Sequence, residues 1–132
     1  MIPIDTSAFI EFLNRTGSRE DLIIEQFITN DDEIALPDIA LTEILQGIRD
    51  DEEYADVKRS LLTFPVLILA GTNSYIAAAE LYRKCRKKGA TVRNTVDLLV
   101  AQIAIENKAA LLHNDRDFTA IAGNCDLKIY KK

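Results

Sequence analysis

Short apolar runs alternate with helical patterns along the whole of this 132-residue sequence, and this alternation constrains the fold most. Capping and turn residues separate each apolar run from the helical pattern behind it, so the runs predict strands. Parallel strands joined by right-handed helical crossovers are typical of such an order. We therefore expect a single α/β domain over residues 1–132, built in three α/β/α layers around a parallel sheet with strands at residues 2–5, 33–36, 66–69, 110–113 and 127–130.

The first apolar run ends on an acid. Asp5 is followed by Thr6 and Ser7, and a helical pattern begins there. Hydroxyl side chains accept hydrogen bonds from the unpaired N–H groups of a first helical turn, so the strand should stop at Asp5. In open α/β sheets, ligands bind in the crevice beyond the carboxyl ends of the strands. Asp5 is therefore a candidate functional carboxylate.

Glu43 lies in a helical pattern predicted from residue 38 to residue 48. Its neighbours three and four positions away include Ile39, Ala40 and Gly47, so it lies on an apolar face. A charge on such a face costs several kcal/mol unless it is paired. Glu43 therefore needs a cation, either a side chain or a metal.

Three more acids lie near predicted strand and helix ends. Asp97 lies in the first turn of a strongly apolar helix predicted from Asn94-Thr95 to about Asn107, whereas Asp115 and Asp117 follow the fourth strand. Each acid also has a purely structural interpretation. Asp97 could compensate the helix dipole, Asp115 could be an N-cap, and Asp5 could form a turn. For single residues, these alternatives remain open.

The acids are more informative as a group. If the strand order is 3-2-1-4-5, strands one and four are neighbours, and their carboxyl ends bring Asp5 and Asp115 together. The flanking helices could carry Glu43 and Asp97 to the same crevice. Clustered carboxylates raise one another's pKa values, and a hard divalent cation relieves this repulsion. Oxygen ligands select Mg²⁺ or Mn²⁺, and such an ion could activate water against a phosphodiester.

Composition and missing motifs exclude other classes. The net charge of −5 argues against a passive nucleic-acid binder, although residues 81–96 contain six cations and no acid. Of these cations, Arg93 is the best candidate for substrate contact because it lies four residues before Asp97. The sequence has no glycine-rich phosphate loop and no GxSxG motif, and its single histidine, His113, excludes a two-histidine ribonuclease. An aspartyl phosphatase is disfavoured because Asp5-Thr-Ser7 lacks a second acid.

Cysteine usage and hydropathy predict a cytoplasmic protein. Cys85 and Cys125 form no CxxC pair and are expected to be reduced thiols. No apolar run approaches the roughly 20 residues of a membrane span, and the N-terminus lacks a signal pattern.

Four short motifs, in the same order over essentially the whole chain, carry a resemblance to a known family. They are Ile4-Asp-Thr-Ser7, Leu41-Thr-Glu-Ile-Leu-Gln-Gly47, Asn94-Thr-Val-Asp-Leu-Leu-Val-Ala101 and Leu112-His-Asn-Asp-Arg-Asp-Phe118. The chain resembles the PIN-domain ribonucleases, and more closely the VapC toxins of bacterial and archaeal VapBC toxin–antitoxin pairs.

The resemblance implies a PIN-like fold and a Mg²⁺- or Mn²⁺-dependent endoribonuclease. Its metal ligands fall on Asp5 and Asp97, with Glu43 completing the cluster and either Asp115 or Asp117 as the fourth acid. Metal-bound water is the implied nucleophile, oriented by an acid, Thr6 or Ser7. The implied partners are RNA, a VapB-like antitoxin and a second copy of the chain. The alternative is a non-catalytic module whose acidic crevice holds a basic partner peptide.

Overall fold

The computed structural model describes residues 1–131, and Lys132 lies outside them. Within this range the chain forms seven helices and five short strands that alternate as the sequence predicts. In chain order they are β1 Ile2–Pro3, α1 Thr6–Leu13, α2 Arg19–Thr29, β2 Ile34–Pro37, α3 Asp38–Gln46, α4 Asp51–Leu61, β3 Val66–Leu67, α5 Thr72–Lys87, α6 Thr95–Glu106, β4 Ala110–Leu111, α7 Arg116–Ala122 and β5 Lys128–Ile129.

The strands pair in the order 3-2-1-4-5, and every pairing is parallel. β1 and β3 flank β2, and β4 pairs with β5. A bridge between Ile4 and Leu112 joins the two halves. It is closed by hydrogen bonds of 2.9 Å from Asp5 N to Leu112 O and 3.0 Å from Leu112 N to Pro3 O. The predicted order is confirmed, and the carboxyl ends of β1 and β4 lie side by side.

The sheet lies between two apolar cores. One core contains Phe9 of α1 and Leu112, and the other contains Phe118 of α7 and Leu111. Successive side chains of a strand point to opposite faces, which explains why Leu111 and Leu112 serve different cores. The three-layer α/β/α prediction is confirmed. No helix within residues 1–131 is long and apolar enough to cross a membrane.

β2 ends one residue later than the predicted residue 36. Pro37 is the last residue of β2, with φ −57° and ψ 139°, and it pairs with Leu67. The fixed φ of proline suits a strand end and a helix start equally, so strand pairing decides its ψ. Asp38 is the first helical residue of α3, as predicted, and its carboxylate accepts a 2.8 Å hydrogen bond from Ile39 N.

Candidate active site

Asp5 occupies the junction between β1 and α1. Its backbone N–H donates a hydrogen bond to Leu112 O, directly after β4. Its carboxylate accepts hydrogen bonds from the backbone N–H of Ser7, at 3.0 Å, and from the Ser7 hydroxyl. Asp5 is therefore the N-cap of α1. The side chain is buried, and burial raises its pKa, although the hydrogen bonds from Ser7 and the charge of His113 act against that rise.

Ser7 connects the ends of the two central strands. While its hydroxyl donates to Asp5, it accepts a 2.9 Å hydrogen bond from Asn114 N, just beyond β4. The sequence marked Ser7 only as a helix start and a possible orienting group. The sequence pattern does not indicate the hydrogen bond to Asn114, because Ser7 and Asn114 are 107 residues apart.

We expect Ser7→Ala to lower the free energy of unfolding by about 1 kcal/mol, because it removes one hydroxyl that serves two polar groups. Urea denaturation measures the change. Ser60→Ala, at an exposed helical position on α4, is the matched control. A loss no larger than that of the control would contradict the bridging role of Ser7.

Glu43 lies on α3, and its carboxylate accepts a hydrogen bond from a hydroxyl instead of pairing with a cationic side chain. Thr6 Oγ1 donates a 2.9 Å hydrogen bond to Glu43 Oε1. Among residues 1–131, no lysine or arginine pairs with this carboxylate. Partial burial raises its pKa, the hydrogen bond from Thr6 opposes the rise, and the charge of Asp5 adds to it. The positive charge that Glu43 was predicted to need is therefore not supplied by a lysine or arginine side chain within residues 1–131.

Asp97, Asp115 and Asp117 form the centre of the acidic site. Each offers one carboxylate oxygen, and the three oxygens lie within 4.8 Å of one another. Asp97 and Asp117 are buried, and Asp115 is partly exposed. Asp115 is also the N-cap of α7, accepting a 2.9 Å hydrogen bond from Asp117 N. A capping role and membership of the acidic cluster are therefore compatible in this residue.

Arg93 lies at the edge of this centre. Its Nε and one terminal nitrogen donate to the two oxygens of Asp117, both at 3.3 Å, and the same terminal nitrogen is 4.0 Å from Asp115 Oδ1. Hydrogen bonding to Asp117 contributes most to raising the pKa of Arg93. Its side chain remains 61% exposed. The sequence predicted Arg93 as a candidate substrate contact but missed its pairing with Asp117, since the two are 24 residues apart.

The acids form one electrostatic unit. Burial, together with the charges of four further acids, raises the pKa of Asp97 to about 7; these acids are Asp5, Asp115, Asp117 and Glu43. A carboxylate buried among like charges is strongly destabilised in its ionised form. Bound positive charge would relieve this cost. The arrangement brings together all the acids that the sequence singled out.

The donor set fits a hard cation. The clustered ligand atoms are all carboxylate oxygens, which suit Mg²⁺ or Mn²⁺. His113 is nearby, but its Nδ1 accepts a 3.1 Å hydrogen bond from Asp115 N, and its ring packs 5.2 Å from that of Phe118. Burial lowers the pKa of His113, which favours the neutral ring. In the structure, His113 therefore has a packing and hydrogen-bonding role.

Sequence comparison places the chain in a family. The profile of the PIN domain matches residues 2–124. A VapC ribonuclease from Mycobacterium bovis and the ribonuclease VapC11 from Mycobacterium tuberculosis are each 36% identical to it over 123 residues, which is 92% of this chain and 92% of theirs.

Solved structures share the fold. A VapBC2 complex from Rickettsia felis, bound to a DNA fragment from its promoter, contains a chain that superposes with a TM-score of 0.76 at 21% identity, covering 98% of both chains. VapBC-1 from nontypeable Haemophilus influenzae gives a TM-score of 0.71 at 23% identity, covering 99% of this chain and 98% of that chain. Matching profile, close relatives and fold agree, and the chain belongs to the PIN-domain family, among its VapC members.

Proposed function

We propose that this chain is a divalent-cation-dependent endoribonuclease that serves as the toxin of a toxin–antitoxin pair. The acidic cluster is the observation that carries the proposal, because burial and like charge raise the pKa of Asp97 to about 7. Such a cluster costs stability unless a cation binds there. The relatives named VapC ribonuclease support RNA as the substrate.

The cation would be held by Asp5 and Asp97, with Glu43, Asp115 and Asp117 completing its surroundings. When bound, it supplies Lewis acidity that activates water and offsets negative charge on the phosphodiester. The remaining groups of the chain hold this arrangement in place. Ser7 fixes the Asp5 carboxylate, and Asp117 holds Arg93 at the edge of the cluster.

Thr6 is better suited than Ser7 to orient a water molecule. The hydroxyl of Ser7 is engaged on both sides, donating to Asp5 and accepting from Asn114 N. Thr6 donates to Glu43, and its oxygen keeps acceptor capacity for a water proton. Arg93 completes the set as a phosphate contact, because its guanidinium is exposed while Asp117 fixes its direction.

Two protein partners belong to the proposal. The solved relatives are VapBC complexes, which supports a VapB-like antitoxin for this chain. A basic antitoxin side chain placed in the acidic crevice would neutralise the same carboxylates that bind the cation. A homodimer is the expected assembly of the toxin. The alternative function is a catalytically silent module that uses the same acids only to hold such a basic segment.

Cleavage of RNA by the partner-free protein separates these functions. We expect cleavage with added Mn²⁺, loss of cleavage after treatment with EDTA, and recovery when Mn²⁺ is restored. Full cleavage by a metal-depleted preparation would contradict cation dependence. A folded protein that binds Mn²⁺ or a basic peptide but never cuts RNA would establish the binding module instead.

A further inference from the structure

The carboxyl-terminal part of α5 carries a cluster of exposed cations. We refer to it as the basic end, and it consists of Arg83, Lys84, Arg86, Lys87 and Lys88. Arg86 lies over the ring of Tyr82, 5.5 Å from its centroid. Within residues 1–131, none of these cations forms an ion pair. In a chain of net charge −5, the basic end is a local positive surface.

Helix packing places the basic end beside the acidic site. Near the start of α5, Ala70 N donates a 3.4 Å hydrogen bond to Glu106, at the end of α6. The hydroxyl of Ser74 also bonds Glu106. The two helices are therefore antiparallel. The end of α5 must lie next to the first turn of α6, which contains Asp97.

The connection between these helices leads from the basic end to the acidic site. Its Val92 is buried in the same core as Leu81 and Cys85 of α5, which fixes the segment against the helix end. The next residue is Arg93, bonded to Asp117 at the cluster. Arg93 therefore places a further exposed cation at the edge of the acidic site, five residues after Lys88.

Helix-dipole compensation explains only part of this arrangement. Cations near a helix carboxyl terminus contribute about 0.3–1 kcal/mol each, and the effect is confined to the last turn. Among the cations of the basic end, the last turn contains Lys84, Arg86 and Lys87, whereas Arg83 precedes it and Lys88 follows it. Arg83 and Lys88, which lie outside the last turn, are therefore available for a second role.

We propose that the basic end binds the phosphate backbone of single-stranded RNA and directs the strand into the acidic site. This inference rests on the proposed function, because it concerns the substrate of that site. A polyanion approaching clustered carboxylates is repelled, and a cationic surface beside them reduces that repulsion. Contacts to phosphate carry no sequence information, so this surface sets affinity and path rather than cleavage specificity.

The test compares two triple variants with equal charge changes. The first is Arg86→Gln/Lys87→Gln/Lys88→Gln at the basic end. The control is Lys58→Gln/Arg59→Gln/Lys128→Gln, which removes one arginine and two lysines from exposed positions on α4 and at the start of β5. Glutamine matches lysine and arginine in helix propensity. Both are made in a cleavage-deficient Asp97→Asn background, and circular dichroism verifies that they are folded.

Binding of a fluorescein-labelled single-stranded RNA is measured by anisotropy over a range of salt concentrations. We expect the basic-end variant to bind about tenfold more weakly in ~0.1 M salt, with a salt slope smaller by about 2, since each phosphate contact on a single strand releases roughly 0.7 counterions. The control should bind like its parent protein.

Equal RNA binding by the two triple variants would overturn the proposal and leave the basic end available to an acidic protein partner. This failure differs from failure of the proposed function. If the wild type neither cuts nor binds RNA, both are wrong. If the wild type cuts RNA and the triple variants bind it equally, only the role of the basic end is wrong.

Discussion

Asp97→Asn is expected to reduce RNA cleavage by about a thousandfold or more while leaving the fold intact. Removal of one charge-stabilising group from a preorganised site costs on this scale. Asp97 is the acid whose pKa responds to all four of its neighbours, so it lies at the electrostatic centre of the cluster. The variant keeps the shape of the side chain and removes its charge, and turnover of labelled RNA with saturating Mn²⁺ measures the loss.

Glu53→Gln is the matched control for this variant. Glu53 is also an acid in a first helical turn, that of α4, but it is exposed and lies outside the cluster. If Asp97 served only to compensate the helix dipole, the two variants would behave alike. Unchanged cleavage by folded Asp97→Asn protein would remove this residue from the site.

Without divalent cations, Asp97→Asn is expected to be more stable than the wild type, and increasingly so as the pH rises from about 4 to about 7. In the folded state the pKa of Asp97 is raised from 3.8 to about 7. Over this window the folded wild type retains a proton that the unfolded chain has released. The wild type therefore loses stability with rising pH.

The difference between the two unfolding free energies isolates this effect. At about 1.4 kcal/mol per unit, a rise of about three units sets an upper value on the order of 4 kcal/mol near neutral pH. Burial lowers the pKa of His113, which gives the opposite trend as pH falls through 6.5, but this contribution is common to both proteins and cancels. Urea denaturation at several pH values, in EDTA, measures the difference. A difference that does not change with pH would contradict the buried, charge-coupled position of Asp97.

Sequence patterns predicted the layers and the strand order because local signals agreed with one another. The side chains of Asn94 and Asp115 each accept a hydrogen bond from a first-turn N–H, as caps do. Once the order 3-2-1-4-5 is adopted, the meeting of Asp5 and Asp115 at neighbouring strand ends follows from topology alone. The clustering of the acids could therefore be predicted from the sequence.

The interactions that hold the acids in place could not be predicted from the sequence. The bonds from Ser7 to Asn114 and from Arg93 to Asp117 join residues far apart in sequence, and only packing determines them. The sequence presented a turn for Asp5 and a cap for Asp115 as alternatives to cluster membership. In the structure, both residues cap a helix and also belong to the cluster. A single carboxylate has two oxygens, so one can cap a helix while the other faces the cluster.

Titration of Mn²⁺ into the partner-free protein by isothermal calorimetry tests the central claim most directly. We predict binding by the wild type and by Glu53→Gln, and no measurable binding by Asp97→Asn, with circular dichroism establishing that all three are folded. Equal binding by wild type and Asp97→Asn, or none by any of them, would contradict the account of the acids as a cation site.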